Sequence, residues 1–161
     1  MTAPIIHIRH ATPVDLDTAF RFNEAMAWET ESRRLDRATV AEGVRNALAD
    51  PNRCIYFVAE FAGSVVGQTM ITFEWSDWRN GFFWWIQSVY VDPDHRRQGV
   101  FRALYDHIRT EAKTRPDVCG LRLYVYHSND RAIATYQTLG MSVADYKLCV
   151  EDWSADAGVM D

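Results

Sequence analysis

Residues 86–105, Ile-Gln-Ser-Val-Tyr-Val-Asp-Pro-Asp-His-Arg-Arg-Gln-Gly-Val-Phe-Arg-Ala-Leu-Tyr, constrain this chain more than any other stretch. They read as a strand through Val91, a sharp polar turn, and a helix opening near Gly99. Phe101, Leu104, Tyr105, Ile108 and Ala112 recur at helical spacing, so one face of that helix is apolar. A strand that passes directly into a helix leaves the first backbone N–H groups of the helix without partners. The helix dipole adds partial positive charge at that end, and Arg96, Arg97 and Arg102 add full charges. Such a turn suits a phosphate or pyrophosphate, and Gly99 lets a ligand approach the backbone closely.

Taken in order, residues 5–9 read as a short strand. Thr12 offers an N-cap, with Pro13 at the first helical position and Asp15 in the first turn. Leu16, Phe20, Asn23, Met26 and Ala27 continue one helical face to about residue 27, and residues 28–32 read as a break. A second helix runs to Ala49, with Val40, Val44 and Leu48 inward. Its start is set either by Asp36 or by a capping box of Thr39 and Glu42. Residues 55–61 and 65–75 are strands joined at Gly63, and the turn at 77–81, which carries Asn-Gly, leads back into a strand over 82–91. Beyond the central helix, residues 121–126 alternate as a strand, residues 128–130 open a short helix, and Gly140 closes it. Residues 141–150 read as a final strand and 151–161 as a loose tail. The order β-α-α-β-β-β-α-β-α-β predicts one α/β (α+β) domain over residues 1–150. Its single mixed, mostly antiparallel twisted sheet would have six to seven strands, with helices on both faces.

Composition narrows the function classes. A length of 161 residues suffices for a core without staples. A net charge of −5 argues against an extended nucleic-acid-binding surface. Cys54, Cys119 and Cys149 are odd in number and lack metal-ligand spacing, which fits buried thiols in a reducing compartment and no metal. The apolar core of a signal peptide and a membrane-length run are both missing, so the expectation is a cytoplasmic protein without membrane partners.

Arg96-Arg97-Gln98-Gly99-Val100-Phe101, directly after a Val-Tyr-Val-Asp-Pro strand end, resembles the acyl-CoA-binding motif of the GNAT N-acetyltransferases. That motif is Arg or Gln, two residues, Gly, one residue, then Gly or Ala; Phe101 departs from its last position. Asn129, Ala132, Tyr136 and Gly140-Met141 resemble the family's C-terminal pattern, with Met141 where Phe is common. The element order is also the family's, and the resemblance spans about residues 5–150. It implies acetyl-CoA as co-substrate, held by the backbone at Val89 and Val91, by Arg96, Arg97, Gln98, Gly99, Val100, Phe101 and Arg102, and by Asn129 and Tyr136. The reaction implied is direct attack of an amine on the thioester through a tetrahedral intermediate, with Tyr136 as the acid that protonates the leaving thiolate. The backbone near Val89 would face the oxyanion.

A lysine-like amine must lose its proton to attack, which costs roughly 4–5 kcal/mol at neutral pH. Many relatives carry a carboxylate base on the central strand, where this chain has Gln87 and Ser88. Glu74 is the candidate base, acting directly or through water, with Glu29 and Glu31 as rivals. Trp28 and Trp75 could wall an amine pocket, since a cation over an indole is favourable, and Glu29, Glu31 and Gln87 complete the expected acceptor site. The acceptor expected is a small-molecule amine, and exposed Trp around residue 78 suits a homodimer. The missing strand carboxylate also supports an alternative: a catalytically weak acyl-CoA-binding sensor.

Overall fold

The computed structural model describes residues 5–154, whose contacts divide into two units, one ending at Leu123 and one beginning at Tyr124. The first unit holds β1 (His7–His10), α1 (Leu16–Glu31), α2 (Arg37–Ala49), β2 (Ile55–Phe61), β3 (Ser64–Ser76), β4 (Gly81–Val91), α3 (Val100–Thr114) and β5 (Val118–Leu123). Its five strands lie in the order β1-β2-β3-β4-β5. All neighbours are antiparallel except β4 and β5, which run parallel on either side of α3 in sequence. The second unit holds α4 (Asp130–Thr138) and, among its described residues, no strand.

The sheet is mixed and mostly antiparallel, as expected, but it has five strands among the described residues rather than six to seven. Residues 141–150 alternate in polarity yet form no ladder, and Val143, Tyr146, Leu148 and Val150 stay exposed. Alternation marks which face a strand would bury; it cannot supply the neighbour whose hydrogen bonds make it a strand. Within the expected tail, residues 151–154 carry no helix or strand, and 155–161 lie outside the described residues.

Two element boundaries also move. The expected break at 28–32 is the last turn of α1. Thr30 Oγ1 donates to the Met26 carbonyl at 2.8 Å, and the helix stops only at Ser32, whose φ of 50° is left-handed. Trp28, Glu29 and Glu31 therefore sit on a helix rather than a loop. β5 begins at Val118 and ends at Leu123, earlier than the alternation at 121–126 suggests, because its register follows β4, with Phe82 opposite Val118 and Ile86 opposite Leu123. For α2 the alternatives resolve in favour of Asp36, whose carboxylate accepts the Thr39 N–H at 2.8 Å.

Helices cover both faces of the sheet in this unit. Along β3, successive residues point to opposite sides. Gln68, Met70, Thr72 and Glu74 face α1 and α2, where Ala19, Val44, Cys54 and Tyr56 form a buried cluster with Leu16, Val40 and Met70 against it. Gly67, Thr69, Ile71, Phe73 and Trp75 face α3. Val100, Leu104, Ile108 and Ala112, spaced by four, bury one stripe of α3 there against Phe57, Ala59 and Ile71. Gly67 is required for this packing, since a Cβ on it would lie 2.8 Å from Val100 Cγ1. All three cysteines are free thiols; Cys54 is buried as expected, whereas Cys119 and Cys149 are exposed because they fall on an edge strand and on the unladdered stretch. No helix among the described residues is long and apolar enough to cross a membrane.

Candidate functional site

The turn from β4 to α3 is built for an anion. Asp92 starts it by accepting the Asp94 N–H at 3.0 Å, and Pro93–His95 make one 3-10 turn. Arg97 (φ 63°) and Gly99 (φ 84°) then both adopt left-handed conformations. Residues of this handedness, set among right-handed ones, gather successive N–H groups into a concavity. No side chain caps α3 at Gly99, so its first-turn N–H groups are open to a ligand. A Cβ at Gly99 would meet nothing within 4 Å, so the approach is open space. Arg97, Gln98 and Arg102 are exposed beside it. Val100 is buried, so only its backbone can reach a ligand, and half-buried Phe101 packs its ring 6.3 Å from Tyr105. These groups fit a pyrophosphate.

Arg96 is already engaged. Its Nη2 donates to Glu29 Oε2 at 2.6 Å and its Nε to the Val91 carbonyl at 3.0 Å. The other Glu29 oxygen accepts from the Tyr90 hydroxyl at 2.7 Å. The Arg96 guanidinium, with help from Tyr90, holds the Glu29 carboxyl below its ordinary range, and Glu29 in turn raises Arg96. Burial, reinforced by Glu29, pushes the Tyr90 phenol up to about 12. A resident carboxylate thus pairs with the arginine expected to meet phosphate, and while paired Glu29 neither attracts a cationic acceptor nor takes a proton.

One turn of β4 earlier, the strand is irregular. Gln68 pairs with Tyr90 and Met70 with Gln87, so Ser88 and Val89 together face Thr69. Such a bulge removes one residue from the ladder. Ser88 has a φ of 51°, strained by about 1 kcal/mol or more for a non-glycine residue. The β4–β5 ladder ends at Ile86 and Leu123, so the Val89 and Val91 backbone lies beyond it.

The expected acceptor residues do not all converge. Gln87 and Glu74 share the α1–α2 face of the sheet. Gln87 Nε2 donates to Thr72 Oγ1 at 2.5 Å. Both Glu74 oxygens are engaged, one by the Trp85 indole N–H and the other by Arg122 Nη1 at 2.9 Å. Arg122 in turn lies 3.7 Å above the Phe83 ring. Trp28 is 55% exposed and carries Arg34 over its ring at 5.5 Å. Glu31 is exposed at the end of α1. Trp75 faces the α3 side of the sheet and packs edge-on with Phe82 at 5.0 Å, so it does not join Trp28 in one wall. Among the described residues no cluster of three His, Cys, Asp or Glu could hold a metal.

In the second unit, Asn129 is the N-cap of α4, its Oδ1 accepting the Ala132 N–H at 3.1 Å. Tyr136 follows two turns later, half-buried, and burial raises its phenol above the ordinary range. The proton is therefore retained throughout the neutral range.

Sequence reasoning missed Tyr90, the bulge at Ser88, and the polar network beneath it. A signal for the last was present: Gln68 and Thr69 interrupt the otherwise apolar run from Val65 to Ile71.

The acetyltransferase (GNAT) family model matches residues 15–141. A stretch of 57 residues is 46% identical to the ribosomal protein bS18-alanine N-acetyltransferase of Escherichia coli K12, covering 35% of this chain. The chain spans about 38% of the length of the curated relatives it matches. The crystal structure of a possible acetyltransferase from Clostridium difficile 630 superposes with a TM-score of 0.86 and 43% identity, over 92% of this chain and 97% of that one. A predicted acetyltransferase from Clostridium acetobutylicum, solved with acetyl-CoA, shares the fold with a TM-score of 0.74 at 19% identity, over 91% of this chain and 96% of that one.

Proposed function

The chain belongs to the GNAT acetyltransferase family, and from that premise we propose that it transfers an acetyl group from acetyl-CoA to the amine of a small molecule. The observation that carries this reading is the uncapped start of α3, with Arg97 and Gly99 left-handed and three arginines around it. Backbone N–H groups of the α3 first turn, with Arg96, Arg97, Gln98 and Arg102, hold the pyrophosphate. The backbone of Val89 and Val91 faces the acyl arm, and Asn129 serves its pantetheine end. Trp28, Glu31 and Gln87 receive the acceptor.

Acetyl-CoA supplies an electrophilic carbonyl and a thiolate leaving group. The amine nitrogen bonds to the carbonyl carbon in a tetrahedral intermediate, whose collapse breaks the carbon–sulfur bond. A β4 N–H donates to the oxygen on which charge develops. The ammonium proton leaves to water, directly or relayed by Glu74. The thiolate takes the Tyr136 phenol proton, which solvent then returns. Because burial raises that phenol, the transfer depends on its placement rather than on acidity.

A second reading, an acyl-CoA sensor without turnover, draws on the engagement of both Glu74 oxygens and the absence of a carboxylate at Gln87 and Ser88. Free-thiol release from acetyl-CoA separates the two, measured over small amines and, because the Escherichia coli relative acts on a ribosomal-protein alanine, peptides beginning with alanine. Amine-dependent release with small amines is the expected result. Release only with peptides moves the acceptor class, and tight binding without release over the whole panel overturns the enzyme in favour of the sensor.

A further inference from the structure

A bulge disrupts backbone hydrogen bonds, and β4 recovers them from side chains. The Gln87 carbonyl accepts from Thr69 Oγ1 at 2.9 Å, and the Ser88 carbonyl lies 3.5 Å from Gln68 Nε2. Both donors belong to β3 and are sealed from solvent, Thr69 at 1% and Gln68 at 0% exposed. Gln68 Nε2 also donates to Asn23 Oδ1 at 2.9 Å, and Asn23 Nδ2 donates to the Tyr56 hydroxyl at 3.2 Å. The circuit therefore runs from Tyr56 through Asn23 and Gln68 to the Ser88 carbonyl.

The circuit is not explained by packing. Gln68 Oε1 is buried and meets no donor among the described residues. A stranded buried acceptor is unfavourable, and a leucine would fill similar space without one. What glutamine adds is its Nε2, directed at the strained residue and at the α1 side chain behind it. Thr69 adds a hydroxyl donor that a valine of similar shape lacks.

Resting on the acetyltransferase reading, we propose that Thr69 and Gln68 are positioning residues for acyl transfer. They hold the left-handed conformation of Ser88, which takes a β4 N–H out of the ladder and keeps it directed at the acetyl carbonyl. They act through the β4 backbone and leave the pyrophosphate turn untouched.

The test compares calorimetric affinities for acetyl-CoA, CoA and S-ethyl-CoA, a thioether that lacks the carbonyl. A hydrogen bond from β4 predicts that the wild type binds acetyl-CoA about three- to tenfold tighter than S-ethyl-CoA. Thr69→Val should reduce that ratio to about one while leaving CoA affinity unchanged, and Thr69→Ser, which keeps the hydroxyl, should restore it. Gln68→Leu repeats the test where valine disrupts the fold, with unchanged CoA affinity reporting an intact turn. Folded variants that keep the wild-type ratio would overturn the proposal, as would a wild type that does not distinguish the two ligands. A wild type that binds none of the three would overturn the acetyltransferase reading and the proposal with it.

Discussion

Glu29→Gln tests whether the resident carboxylate competes with the cofactor for Arg96. The substitution preserves shape and removes one charge. Glu29 and Arg96 side chains are 37% and 44% exposed, so solvent screens the 2.6 Å pair heavily. A value of about 1 kcal/mol, at the upper end for exposed pairs, is appropriate because Arg96 also holds the Val91 carbonyl. At about 1 kcal/mol the paired form outnumbers the open one roughly fivefold, leaving about one molecule in six with Arg96 available. Removing the competitor should therefore tighten acetyl-CoA and CoA binding about five- to sixfold. Calorimetric titration measures this directly, and the gain should shrink between low salt and about 0.15 M, where the screening length is roughly 8 Å. Equal or weaker binding by the variant would refute the exchange and make Glu29 a support that orients Arg96.

Other residues carry their own tests. Gly67→Ala places a methyl 2.8 Å from Val100 Cγ1 and 3.3 Å from the Tyr90 carbonyl oxygen. It should cost about 1–3 kcal/mol in denaturant unfolding and weaken acetyl-CoA binding by displacing the α3 first turn; unchanged values would contradict that packing. Asp15, 5% exposed, accepts from Arg9 at 2.8 and 2.9 Å, and Arg9 holds its carboxyl below the ordinary range. Its contribution is therefore fully present above the unfolded-state value, about 3.9, and is lost as pH falls through the lower folded value. Asp15→Asn should lose about 2–3 kcal/mol at neutral pH, less than a fully buried pair because Arg9 keeps Glu60, and should lose less further stability on acidification than the wild type. Parallel stability–pH curves would contradict the linkage.

The parts of this fold legible in sequence are those specified locally. The β4–turn–α3 unit follows from alternation to Val91, Gly99, and apolar residues at helical spacing through Ala112. The end of α1 misled because Trp28, Thr30 and Ser32 look like loop residues singly, although glutamate and a back-bonded threonine extend a helix already running. The start of β5 is set by its partner β4, so no local pattern could give it. The site's electrostatics were hidden for the same reason: Glu29 and Arg96 are 67 residues apart in sequence. The bulge at Ser88 was invisible because it depends on the register between β3 and β4, and serine does not advertise a left-handed φ as glycine would.

The measurement closest to the central claim is a single-turnover experiment. Protein preloaded with acetyl-CoA is mixed with the best amine from the panel and quenched, and acetylated product is followed by mass spectrometry in the wild type and Tyr136→Phe. Stoichiometric product is expected in the wild type, and in the variant a rate at least about tenfold lower, about 1.4 kcal/mol of barrier, with acetyl-CoA affinity retained. Equal rates would contradict the role given to Tyr136, and no acetylated product from a fully loaded wild type would contradict acetyl transfer itself.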